Sequence, residues 1–139
     1  VKRVNEQGNA VVEFIGVAIA LLVPIAFVSS AVLTVAQSYL AADVAARAAS
    51  RAYVTAESEK SAKHAAKVLV RQSLGDLNSL ENNFSVQISC RSSPCLESGN
   101  YVSVIVTNKV PLNLPKFLGS HSVVVTGKHT SVVDELRSP

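Results

Sequence analysis

The residues able to do chemistry in this chain are few, and the first is Glu13. From Phe14 to Ala42 no residue is charged, so Glu13 is a lone carboxylate at the start of a long apolar run. Just before it, a short leader carrying Lys2, Arg3 and Glu6 stops at Gly8, and Asn9 follows. A glutamate at this place can sit at headgroup depth. There it costs far less than the roughly 2.5–3.5 kcal/mol of an acidic group at mid-bilayer, and it lies at the positive end of the helix dipole. The second candidate is the pair Cys90 and Cys95, the only cysteines, separated by Arg-Ser-Ser-Pro. Two thiols this close can close a small disulfide loop. With no histidine nearby, a zinc site is not expected. The third is the histidines, His64, His121 and His129, which fall in separate elements. No Ser-His-Asp order, glycine-rich phosphate loop or His-x-x-x-His spacing accompanies them, so neither catalysis nor a cofactor is expected.

The element that must position Glu13 is the stretch from Gly8 to Ala42. A bilayer's hydrocarbon core takes about 20 apolar residues at about 1.5 Å rise each, which this run exceeds. It is too long for the roughly 7–15-residue apolar part of a secretory signal, and no small-x-small cleavage site follows it. The sequence therefore predicts a membrane helix retained in the protein. Pro24 removes a backbone hydrogen bond inside that helix and is expected to bend it. Positive charges on the two sides of the span, Lys2 and Arg3 against Arg47 and Arg51, nearly balance. The cysteines decide the topology instead: disulfides persist outside the cytoplasm, which places the C-terminal part there and the leader inside.

Past the span the helix is predicted to continue as a stalk to about Tyr53. Asp43, Arg47 and Arg51 form one ridge, Leu40, Val44, Ala48 and Ala52 another, and the many alanines between them would admit a closely packed second helix. Thr55 with Glu57 and Glu59 reads as the start of that helix. It runs to about Leu74, with Ala62, Ala65, Ala66, Leu69 and Ser73 inward, and ends at Gly75-Asp76. Lys60, Lys63, His64, Lys67 and Arg71 make its solvated side. From Phe84 the period falls to two: Phe84–Cys90, Tyr101–Val110 and Ser122–His129 read as strands. The fold expected is α+β: a long N-terminal transmembrane and stalk helix, a second helix and a small three-stranded antiparallel sheet. The divisions are 1–8 leader, 9–54 helix and 55–139 extracytoplasmic head.

Composition narrows the function classes. Aromatic residues make up 5% and Trp and Met are absent, which leaves few stacking anchors. The net charge of +3 is dispersed, with no basic run longer than Lys2-Arg3, so nucleic-acid binding is not expected.

The leader ending in Gly8, Asn9 as the new first residue, Glu13 as the fifth with Phe14 after it, and the unbroken apolar helix together resemble the type IV pilin-like precursors. The order that follows, an alanine-rich stalk, second helix, valine-rich hairpin, Pro-Leu-x-Leu-Pro connection and final valine strand, is similar to the TadE-like minor pilins of tight-adherence systems. The resemblance covers nearly the whole chain, but only its first part is a motif. It implies cleavage between Gly8 and Asn9 by a prepilin peptidase. It further implies that Glu13, with Phe14 beside it, compensates the new amino group of a neighbouring pilin subunit as helices pack. Val1 reads as an initiator codon taken literally, and a longer leader would leave the cut in place. Major pilins of the system are much shorter and usually carry tyrosine after the glutamate, which favours a minor subunit. An uncleaved single-pass anchor with an extracytoplasmic binding domain, and a pseudopilin of a related secretion system, are the alternatives.

Overall fold

The computed structural model describes residues 7–75, 84–112, 114–115 and 119–135; the leader charges Lys2, Arg3 and Glu6, and Asp76 at the expected end of the second helix, lie outside them. The charge-free run and the alanine-rich stretch after it form one helix, α1 (Gln7–Thr55), continuous through Pro24. Its 49 residues extend about 73 Å at 1.5 Å per residue. A second helix, α2 (Glu59–Gly75), folds back along it. Three strands follow: β1 (Phe84–Cys90), β2 (Tyr101–Leu112) and β3 (His121–Val132). They form one antiparallel sheet in the order β1-β2-β3, so the chain is α+β as expected.

The start of α2 differs from the sequence expectation. Thr55 is the last residue of α1, and its hydroxyl donates backward to the carbonyls of Arg51 and Ala52. Ser58 is the cap instead. The Ser61 backbone N–H donates to Ser58 Oγ at 3.3 Å while the Ser58 N–H donates to Ser61 Oγ at 3.2 Å, a reciprocal arrangement that satisfies two otherwise unpaired donors. Strand β3 also runs three residues past its expected end, through Thr130, Ser131 and Val132, where polar residues obscure the alternation.

The core is built around the distal half of α1. Val102, Val104, Val106 and Val110 on one face of β2 are buried, each worth roughly 1.5–3 kcal/mol as an upper estimate. Their neighbours in β1, Cys90, Ile88 and Val86, share that face in register. Across β3 the same face carries Val123, Val125, Gly127, His129 and Ser131. Against it lies α1 through Ala42, Ala45, Ala46, Ala49 and Tyr53, all fully buried. The inward side of α2 is Ala62, Ala66, Val70 and Leu74, with Ala65, Leu69 and Ser73 half-buried and the basic side exposed. The ridge of Leu40 and Val44 points outward instead; small residues face the head because the backbones approach closely there.

Gly127 is where that approach is tightest. A Cβ built on it would stand 2.5 Å from the Asp43 backbone nitrogen and closer still to the carbonyl group of Ala42. Its φ is not in the left-handed region, so glycine is needed here for space. Four residues later, Ser131 Oγ donates to Ser50 Oγ at 2.9 Å. Eight helical residues span about 12 Å and four strand residues about 13 Å, so α1 and β3 run in the same direction. The start of β3 therefore lies toward the apolar half of α1.

Candidate functional site

Gly8 and Asn9 lie in the first turn of α1, in helical backbone. Glu13 and Phe14 follow about 6 Å along the axis from Asn9, both exposed, with Phe14 at 73%. The helix goes on exposing its apolar side chains: from Ala10 to Ser30 every residue except the half-buried Ala18 is exposed. Among the described residues, α1 is the one helix long and apolar enough to cross a membrane, and its most apolar stretch packs on nothing within the chain. A water-facing helix of Val, Ile, Leu and Phe has no stable setting, whereas a lipid-facing one does. Pro24, in the second half of this exposed part, removes one intrahelical bond without breaking the helix.

The second predicted feature is formed. Cys90 and Cys95 are joined with S–S 2.05 Å and Cα–Cα 5.4 Å. What organises their loop is a residue that the sequence reading passed over. Asn100, buried to 5% exposure, donates through Nδ2 toward the carbonyls of Ser92, Pro94 and Cys95, and its Oδ1 accepts from the N–H groups of Ser92 and Tyr101. The loop is tied down twice more. Glu59 Oε1 accepts from the Cys95 N–H at 2.8 Å, which anchors it to the first turn of α2, and Val133 N–H donates to the Asn100 carbonyl. The only early hint of this was the position of an asparagine immediately before a strand.

Beside Glu59, the Tyr53 phenol is pushed above its ordinary value, chiefly by burial and then by the Glu59 charge. Its hydroxyl has no hydrogen-bond partner. The histidines are not brought together: His64 is exposed on α2, while His121 and His129 lie eight residues apart on one face of β3. Among the described residues no group of three or more His, Cys, Asp or Glu side chains could hold a metal ion.

The structure thus separates the sequence-predicted residues into two places. Glu13 and Tyr53 are about 60 Å apart along α1, with the glutamate at one end and the disulfide loop beyond the other. Nothing at either end joins a nucleophile, a base and a concave pocket among the described residues. The arrangement presents a helix at one end and holds a rigid small head at the other. No protein-family model, no curated protein and no solved structure matches this chain.

Proposed function

We propose that the chain is a TadE-like minor pilin of a tight-adherence type IV pilus, structural rather than catalytic. In this reading a prepilin peptidase cuts between Gly8 and Asn9 at the cytoplasmic side of the membrane. The apolar half of α1 spans the bilayer, and the head stands outside. On assembly, Glu13 compensates the freed amino group of Asn9 on an adjacent subunit, with Phe14 packing beside it.

The observation that carries the reading is the division of α1. Its first part offers an uninterrupted apolar surface with Glu13 as the lone charge near its start, and its second part is the spine of the head. A helix built this way can leave lipid and enter a bundle of like helices without disturbing the head. The Cys90–Cys95 bridge favours an oxidising compartment for that head. The helical setting of Gly8 is compatible with cleavage, because the first four N–H groups of a helix lack intrahelical partners and the first turn opens at little cost.

The test is the N-terminal sequence and intact mass of the protein recovered from membranes of cells with an active prepilin peptidase. The expected product begins at Asn9 and is lost in Gly8→Ala. Glu13→Ala is expected to leave processing intact and abolish filament incorporation. An unprocessed wild-type chain would sink the proposal and leave a single-pass anchor with an external head.

A further inference from the structure

The hairpin end of the sheet lies against the membrane-facing part of α1, and a cleft of about 740 Å³ opens between them. Its helix wall includes Val32, Val35 and Tyr39; its sheet wall includes Leu112, Val123 and Val125. These side chains are apolar apart from the tyrosine hydroxyl, and Tyr39 is more than half exposed. An open apolar cleft in a small head is unfavourable in water, so its position along α1 decides what fills it.

That position follows from the register of α1 and β3. Val123 lies four residues before Gly127, about 13 Å along the strand. The same distance is about nine residues of helix, which sets Val123 level with the helix near residue 33. The charge-free run from Phe14 to Ala42 is about 43 Å long, the thickness of a hydrocarbon core together with both headgroup layers. Centring a core of about 30 Å in that run puts its outer boundary close to residue 38. The cleft then spans the outer boundary of the hydrocarbon core, with Val123 about 7 Å below it and Tyr39 just above it. Tyr39 stands at headgroup level, where tyrosine is enriched. Lys109, paired with Val124 on the outer face of the sheet, can lay its stem on the valine and extend its ammonium toward phosphates.

We propose that this cleft is filled by acyl chains of the outer leaflet, so that the β2–β3 end of the head is seated in that leaflet. The head is therefore held in a fixed orientation on the bilayer by two contacts, the span and the hairpin end. This rests on the membrane-spanning reading of α1, though not on pilin processing. Leaving the membrane would then require the sheet wall, as well as the helix, to exchange lipid for another apolar surface.

Depth-dependent quenching tests it on the full chain, reconstituted in phosphatidylcholine vesicles with the Cys90–Cys95 bridge intact. Single added cysteines, Val28→Cys, Val123→Cys and Lys128→Cys, each carry a bimane label; Val123 is on the helix-facing side of β3, in the wall of the cleft. The vesicles contain lipid with a nitroxide either near the ester end or near the methyl end of the acyl chain. Expected is severalfold quenching at position 28 by both lipids, severalfold quenching at position 123 weighted more toward the ester-end nitroxide than at 28, and little at position 128. Quenching at 28 with emission at 123 no different from that at 128 overturns the proposal while leaving the span intact. No quenching at 28 overturns the span and this proposal with it. Position 123 shielded from lipid, with its shielding rising with the protein-to-lipid ratio, replaces the acyl chains with a second copy of the chain.

Discussion

Replacing Gly127 with alanine puts one methyl group where the backbone of α1 passes. The added Cβ would stand 2.5 Å from Asp43 N, and ordinary contact begins near 3.4 Å, so the helix must retreat from β3 by at least about 0.9 Å. Backbone atoms cannot rotate aside as a side-chain tip can, which places the cost near the upper end of the roughly 1–3 kcal/mol typical of overpacking. Alanine returns up to about 1 kcal/mol by restricting the unfolded chain, since Gly127 has no left-handed φ to preserve. The net loss is about 2 kcal/mol, or roughly thirtyfold faster exchange of the most protected β2 amides where exchange reports the opening equilibrium. The assay is hydrogen exchange by mass spectrometry on the full chain in detergent micelles. Gly75→Ala, which adds a methyl to open space, is the control and should lose no protection. Ala42→Gly should not rescue Gly127→Ala, because the obstructing atoms at position 42 are backbone. Exchange in Gly127→Ala within twofold of the parent, or rescue by Ala42→Gly, would refute this account of the helix–sheet contact.

Four further variants probe the distal end of the head. Tyr53→Phe removes a buried hydroxyl that has no partner and should leave stability unchanged or raise it by up to about 1 kcal/mol in urea denaturation. Because the Tyr53 pKa is raised by burial, its neutral form is the one the fold accommodates. The parent should hold its stability below the ordinary phenol range and lose it as pH rises through that range toward the folded value, a loss reduced in Tyr53→Phe. Asn100→Ala should cost about 1–3 kcal/mol, and Asn100→Asp more at neutral pH, since a carboxylate would face the three carbonyls that Nδ2 now satisfies. The penalty of Asn100→Asp should shrink as pH falls and the introduced acid regains a proton to donate, which urea midpoints at two pH values would reveal. Replacing both Cys90 and Cys95 with serine releases a closed loop of six residues and should cost about 2 kcal/mol on the chain-entropy estimate. An unchanged urea midpoint would mean that Asn100 and Glu59 hold the loop without the bridge.

Much of this fold was legible because its signals are local. The absence of charge between Glu13 and Asp43, the shift from helical spacing to alternation at Phe84, and the close cysteine pair each depend on neighbours in sequence. What was missed depends on distant ones. Thr55 and Ser58 offer the same hydroxyl-then-acid pattern, and the choice between them lies in where α1 stops; Thr55 bonds back into α1 and Ser58 meets Ser61. Gly127 carries meaning only once Ala42 lies against it. Asn100 matters through three carbonyls of a loop that must first fold. At the other end, Gly8, Asn9 and Glu13 remain legible as a motif alone, since on the proposed function the partners that give them chemistry belong to other molecules.

The side-chain sizes along α1 divide it into two kinds of surface. Before residue 35 its surface is Val, Ile, Leu and Phe, exposed nearly all round, as suits a neighbour that flows around each side chain. From Ala41 to Ser50 the inward positions are alanine and serine, because the neighbour there is a fixed sheet whose backbone comes within reach of the helix backbone at Gly127. Around that stretch the large apolar residues Leu40 and Val44 point away from the sheet, and a large buried side chain returns only at Tyr53. The two halves therefore tolerate opposite changes. Exchanging one large apolar residue for another in the first half leaves the packing of the head untouched, whereas adding even a methyl group at the contact between Ala42 and Gly127 displaces the helix from the sheet. That displacement would widen the cleft at Val123, so, on the proposed seating, the tightness of the helix–sheet contact would also set how the hairpin end meets the bilayer.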